Sequence, residues 1–592
     1  MVEKKKSSFN ISSLRRIFTY AAPYKTKFYG SISLAILLAV ITPIRPMLVQ
    51  TTIDKYITQS LPKMVVYITL IQIALLLLES GIRFLFSYTS AWLGQTVVKD
   101  LRNQVYKKVL NFKLNQFDKT PIGTLTTRTI NDIESINEVF SDGFIPIVAD
   151  LLSIICVLTY MFWVDWSLTL VALIPFPIMI IATYYFKESI NKSFFRVRNA
   201  VAALNAFVQE RLSGMSVVQT FAVQNQEFKK FTNINAEHRN ANIKAIYAYS
   251  VFFPVIEIIL ALSMGIVIWY TAGDAIDMHE NKQGIIVSFI LCLNLLFRPL
   301  RMIADKFNTV QMGVIASERV FTVLDNNDKE DNDFEEKHDV YPIKGNVTFK
   351  DVWFAYQDEN WVIKNLSFNI HNGETIAIVG HTGSGKSTII SLLSKFYEYQ
   401  KGAILLDGKE IKNLSNYEVR SQIGVVLQDV FLFSGSIFEN ITLRDPSIQL
   451  ETVRAAARMI DMDDFIMSLP GSYEFNVKER GGTLSVGQRQ LISFIRALLY
   501  NPSILILDEA SSSIDTESER LLQNATEKLV ENRTSIIIAH RLSTIKKADK
   551  ILVLDKGVMV EWGSHQELMA LNGYYAELYE MQFRKNEKLS TL

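Results

Sequence analysis

The run ETIAIVGHTGSGKST (374–388) decides the fold. Its opening, Ile376 to Val379, is short and apolar without alternation, as a strand buried on both faces reads. It leads directly into GHTGSGKST (380–388), which matches G-x-x-x-x-G-K-[ST] in full. Gly380, Gly383 and Gly385 let backbone N–H groups curl around phosphate oxygens, with His381, Thr382 and Ser384 completing the loop. Lys386 can neutralise β- and γ-phosphate oxygens, and Ser387 can ligate Mg²⁺. Thr388 follows in STIISLLSKF, a helix whose positive dipole end adds to the anion site. A chance match would not come with a strand before it and a helix after it.

Working outward, SILILDEA (503–510) is a second buried strand that ends in two carboxylates. Asp508 stands at the carboxyl end, where open α/β sheets bind ligands, and is placed to hold a metal through water. Glu509 points elsewhere and can polarise an attacking water. Such a pair after a lone strand is often just a solvated strand end; beside a phosphate loop it carries chemistry. Between the two strands lies RGGTLSVGQRQ (480–490), followed by the helix-like LISFIRALL. Strand-like and helix-like stretches alternate from residue 345 onward, predicting a parallel sheet covered by helices.

The first 320 or so residues read differently. The 592-residue chain is 49% hydrophobic and 20% charged, and the apolar surplus is concentrated there. Six segments are long enough to cross a bilayer, near 28–50, 64–90, 142–163, 166–186, 249–270 and 284–304. WVDW (163–166) forces a tight hairpin, and two polar loops are expected at 93–140 and 188–246. The N-terminus (Lys4, Lys5, Lys6, Arg15, Arg16) and both loops are basic, while the opposite side has only Lys55, Lys63 and Lys282. This places the termini and the loops in the cytoplasm. SSLRRIFTYAAPYKTKF reads as an amphipathic helix on the inner membrane surface. Arg45, Glu79, Arg83, Asp150, Glu257 and Arg298 fall inside spans; each is either internal glue or part of a substrate path. Glu79 and Arg83 are spaced to pair on one helix face, and Pro43 and Pro46 should kink the first span. The acidic run 325–339 reads as a linker. The expected organisation is a surface helix (1–27), a transmembrane domain (28–310), a helix end with linker (311–344) and an α/β domain (345–592).

Charge excludes a general nucleic-acid binder: 61 Lys plus Arg balance 60 Asp plus Glu. Two cysteines, Cys156 and Cys292, exclude a disulfide framework or zinc cluster. The spans exclude a soluble repair ATPase, and the phosphate loop excludes a secondary transporter.

The order of motifs is specific. The phosphate loop, Gln428 in VVLQD, LSVGQ, LDEA, Asp515 in SSSID and His540 in IIIAHR resemble the nucleotide-binding domain of an ABC transporter. With six spans ahead, nearly the whole chain resembles a half-size ABC exporter of the multidrug/lipid type. Stretches 117–133 and 210–231 resemble that family's coupling-helix loops. The resemblance implies ATP and Mg²⁺ as cofactors, with Tyr356 stacking on adenine. It implies Gln428 on Mg²⁺ and the attacking water, and His540 orienting Glu509. It implies Ser485, Gly487 and Gln488 closing over ATP held by a second subunit, with Asp515 linking the two sites. Tyr356 beside Trp353 and Phe354 could equally be core, and His540 a satisfied strand end. The usual signature is LSGGQ; here Val486 replaces a glycine, and a branched residue should restrict the backbone beside the γ-phosphate. Altered signatures with Glu and His retained accompany mixed pairs in the family, which favours a paralogous partner over self-pairing. The implied function is ATP-driven export of hydrophobic or amphipathic compounds from a bacterial inner membrane. The rival is an ATP-gated channel or a membrane sensor.

Overall fold

The computed structural model describes residues 11–278, 283–330, 342–508, 516–539 and 541–582. Contacts divide it into two compact units, Met1–Leu110 with Ile122–Asn326 and Asn111–Pro121 with Asn327–Leu592.

In the first unit six helical stretches are long and apolar enough to cross a membrane: Ala22–Ile57, Pro62–Leu110, Ile122–Val164, Trp166–Ser213, Gln224–Ala272 and Gln283–Leu324. They contain all six expected spans, but the expected polar loops are themselves helix. Pro62–Leu110 is one helix of 49 residues, roughly 70 Å at 1.5 Å per residue and far beyond a bilayer core. The reason lies inside the polar stretch. Leu93, Val97, Leu101 and Val105 are fully buried at i, i+4 spacing, so a helical apolar stripe continues where mean hydropathy falls. Short helices Leu114–Lys119 and Met215–Thr220 mark the turns of the two long excursions.

The tight hairpin is present: Val164 ends one helix, and the Asp165 carboxylate caps the next by accepting from Leu168 N at 2.9 Å. The first span breaks at Thr42–Pro43, between helices Lys25–Ile41 and Ile44–Thr51. The amphipathic helix is Ile11–Tyr20. Its apolar side lies on protein: Ile17 is fully buried, and Phe18 packs on Phe140 and Phe144. Arg16 forms a bidentate pair with Asp325 at 2.6 and 2.7 Å. Among the intramembrane charges, Arg83 pairs with Glu79 at 2.8 Å, Arg301 with Glu257 at 2.6 Å, and Lys306 with Asp150. Arg45 and Arg298 are exposed in the single chain.

The second unit holds two sheets. The strands are β1 Val347–Ala355, β2 Trp361–Ile370, β3 Thr375–Val379, β4 Lys401–Leu406, β5 Lys409–Glu410, β6 Ile423–Val426, β7 Ile504–Asp508, β8 Thr534–Ile538, β9 Lys550–Asp555 and β10 Val558–Gly563. An antiparallel sheet has the order β2-β1-β4-β5, and a larger one the order β10-β9-β3-β8-β7-β6. The larger sheet is parallel from β9 to β6. Strand alternation sorts its side chains into two cores. Ile376, Ile378, Ile504, Ile506, Ile536 and Ile538 face the antiparallel sheet and the phosphate-loop helix Lys386–Leu393. Ala377, Val379, Leu505, Leu507 and Ile537 face the opposite core, which holds Leu491, Ile492 and Ile495 of helix Val486–Tyr500. Both faces are covered, which is why these strands read as unbroken apolar runs.

Candidate nucleotide site

Parallel strands bring the carboxyl ends of β3, β6, β7 and β8 to one edge. Asp508 lies in register with Ile538, and Ile538 with Ile378. The carboxylate therefore stands about 10 Å, two strand spacings, from the strand that feeds the phosphate loop. Gln428 follows β6 by two residues and is exposed at the same edge. Glu509, Asp515 and His540 lie outside the described residues; Glu509 directly follows β7, and His540 follows β8 by two positions.

The loop's glycines meet the conformational demand. Gly380 has φ +155° and Gly385 +107°. A Cβ on Gly380 would sit 2.2 Å from the Leu554 carbonyl oxygen of β9, so no side chain fits. Gly383, at φ +82°, has open space where a Cβ would point, leaving its side of the loop free for a ligand. His381, Thr382 and Ser387 are exposed, whereas Ser384 and Thr388 are buried. The Ser384 hydroxyl is buried with no partner, an orphan polar atom that a phosphate oxygen would satisfy. Lys386 folds back on the loop, donating from Nζ to the carbonyls of Gly380 (2.8 Å) and His381 (3.0 Å). Burial lowers its pKa, and the negative charge of Asp508 opposes that shift.

Tyr356 ends the antiparallel sheet beside this loop. Its Oη lies 3.2 Å from Thr388 Oγ1, and its ring is braced edge-on by Phe354 at 4.7 Å and Tyr397 at 4.9 Å. The other ring face is available: Tyr356 is 42% exposed, as a stacking platform requires. Tyr397 carries no motif in the sequence; only the chain path after the phosphate-loop helix brings it to Tyr356.

The Ser387 hydroxyl, the Gln428 amide oxygen and the Asp508 carboxylate are hard oxygen donors of the kind Mg²⁺ takes. Among the described residues no group of three His, Cys, Asp or Glu offers a competing metal site.

The signature forms a helix start. Ser485 caps helix Val486–Tyr500 with a reciprocal box: Gln488 N donates to Ser485 Oγ at 3.2 Å, and Ser485 N donates to Gln488 Oε1 at 2.9 Å. Val486 is the first residue of that helix and is 42% exposed, and Gly487 is buried. The expected backbone restriction is therefore absent. A β-branched residue fits a helix in one rotamer, and the capping box around it is intact. Val486 instead adds an isopropyl group to the exposed start of the helix.

Family models match two regions, an ABC transporter transmembrane region over residues 28–300 and an ABC transporter domain over residues 363–512. The Bacillus subtilis ABC transporter ATP-binding protein YknV is 36% identical, over 97% of this chain and 95% of that protein. The ATP-dependent lipid A-core flippase of Syntrophus aciditrophicus is 33% identical, over 97% of this chain and 95% of that protein. A solved bacterial Atm1-family ABC exporter with ATP bound superposes with a TM-score of 0.76 at 27% identity, covering 95% of this chain and 99% of that one. The chain thus belongs to the ABC transporters, as a half-size exporter that fuses the transmembrane region to the domain that hydrolyses ATP.

Proposed function

We propose that the protein uses ATP to export hydrophobic or amphipathic compounds, drugs or lipids, from a bacterial inner membrane, paired with a paralogous half-transporter. The carrying observation is the phosphate loop: an orphaned Ser384 hydroxyl, an open cradle at Gly383 and a half-buried Lys386, in a chain with six membrane-length helices. Lys386 exchanges its two carbonyl partners for phosphate oxygens, and Tyr356 holds the base. Bound Mg²⁺, held by Ser387, Gln428 and Asp508, would supply charge neutralisation at the phosphates. Glu509 takes the proton of the attacking water, and His540 orients Glu509. The signature helix presents Ser485 and Gly487 to ATP on the partner, and Asp515 links the two sites. Closure of the paired domains moves the spans outward, and hydrolysis resets them.

Val486 beside retained Glu509 and His540 supports the mixed pair. The site on this chain's phosphate loop would use the partner's signature, and only the other site would meet the extra isopropyl group. The test uses inside-out vesicles carrying this chain with and without a co-expressed paralogue, with an amphipathic dye added outside or a fluorescent phospholipid in the outer leaflet. Mg-ATP should drive uphill accumulation or flipping. An ATP-opened conductance without uphill movement would make it a channel. Robust ATPase from the chain alone in nanodiscs would make it a homodimer.

A further inference from the structure

The phosphate-loop helix has a second end. After Leu393 the chain caps at Ser394 and turns at Lys395, which has φ +53°. The last carbonyls of a helix lack intrahelical partners. Here two carbonyls beyond that end are taken by one guanidinium: Arg420 Nε donates to Ser394 O at 3.2 Å and Nη2 to Lys395 O at 2.9 Å. The same guanidinium reaches Glu330 as a fork, Nη1 to Oε2 at 2.8 Å and Nη2 to Oε1 at 2.7 Å. It also lies over the Phe396 ring at 5.1 Å. The Glu330 side chain is 14% exposed and that of Arg420 29%, so water screens this pair less than a surface ion pair.

Glu330 follows the last membrane-length helix, which ends at Leu324. Its backbone is paired as well. Glu330 N donates to Asn111 O at 2.7 Å, Lys113 N donates to Asp328 O at 3.4 Å, and Phe112 bridges Lys329 antiparallel. Asn111 follows the helix that ends at Leu110. The chain leaving one membrane helix is therefore zipped to the chain leaving another. This ribbon grips the loop after the phosphate-loop helix at two further points, Lys113 to Glu398 at 3.1 Å and Tyr397 Oη to the Asp118 carboxylate.

We propose that Glu330 and Arg420 are a positioning strut, joining the segment that leaves the last membrane helix to the C-terminal end of the phosphate-loop helix, so that nucleotide occupancy biases that segment. The proposal rests on the phosphate loop binding ATP. The helix has eight residues, about 12 Å of rigid rod, so a shift at its phosphate end is carried to Ser394 and Lys395. A forked guanidinium transmits direction as well as charge, because its donors are fixed in one plane. By linkage, the segment's position biases nucleotide affinity in return.

The test uses the full-length protein in nanodiscs. Binding of a fluorescent, non-hydrolysable ATP analogue is measured beside amide hydrogen exchange of residues 111–113 and 327–330. In the wild type the analogue should slow exchange there by roughly fivefold or more, the lower end of site-to-site coupling. Glu330→Ala leaves Arg420 on the Ser394 and Lys395 carbonyls. It should still bind the analogue, with an affinity changed by no more than the coupling factor that linkage returns, yet lose the nucleotide-dependent slowing. Arg420→Lys keeps the charge, lacks the fork and should lose it too. If Glu330→Ala does not fold, Glu330→Gln carries the same expectation. Full slowing in the variants, or none in the wild type despite bound analogue, overturns the strut. So does faster exchange by the same factor with and without nucleotide, the mark of a purely structural pair. A wild type that binds no analogue overturns the ATP-site reading instead.

Discussion

Replacing Lys386 by Met should weaken ATP binding while leaving the nucleotide-free protein no less stable. The ammonium is half-buried, with two carbonyl partners at 2.8 and 3.0 Å, and burial depresses its pKa. The sign follows from linkage. A lysine whose folded pKa lies below its unfolded value costs stability while it is charged, at neutral pH, and the cost fades as pH rises past the folded pKa. Met has similar length and no charge to desolvate, so the nucleotide-free variant should melt at or above the wild-type temperature. With ATP the balance reverses. Two charge-assisted hydrogen bonds to phosphate, each worth about 1.5–3 kcal/mol, replace two to carbonyls. A net loss of about 3 kcal/mol weakens binding on the order of 100-fold. A fluorescent-nucleotide titration and a thermal melt without nucleotide read the two effects separately. An affinity within threefold of wild type would refute the role of Lys386. A clear drop in melting temperature would refute the claim that its charge opposes folding.

Glu509→Gln should keep ATP binding and lower turnover by about 100-fold or more, since the amide cannot accept the water's proton; near-wild-type hydrolysis would remove Glu509 from the base role. Asp463 is buried in the second unit, and Arg454, Tyr473 and Arg458 hydrogen-bond its carboxylate, holding its pKa at about 2. That stabilisation is present above about pH 4 and fades as pH falls toward 2. Asp463→Asn should cost about 2 kcal/mol at pH 7 and flatten the acid limb of the melting profile; an unchanged acid limb would count against it. Val486→Gly in the mixed pair should change turnover little, because the site on this chain's phosphate loop uses the other signature; a rise of tenfold or more would place the rate-limiting site on LSVGQ.

What the linear order of residues determines here is local chemistry. The phosphate loop needs glycines where φ is positive and a lysine after them, so nine consecutive residues announce it. The apolar runs announce six spans because bilayer thickness sets a length, and the unbroken aliphatic runs of β3, β7 and β8 announce strands covered on both faces. The helical extensions beyond the membrane were hidden. Their buried stripe of Leu93, Val97, Leu101 and Val105 is diluted by charged residues and vanishes in a hydropathy average. The helix start at Val486, by contrast, is legible, because Ser485 and Gln488 stand at capping-box spacing before an apolar run; the structure adds that the box closes. Only tertiary structure put Tyr397 against Tyr356 and the Glu330 carboxylate on Arg420. Those partners are far apart in sequence, no spacing rule connects them, and their meeting depends on how strands, helix ends and chain exits pack together.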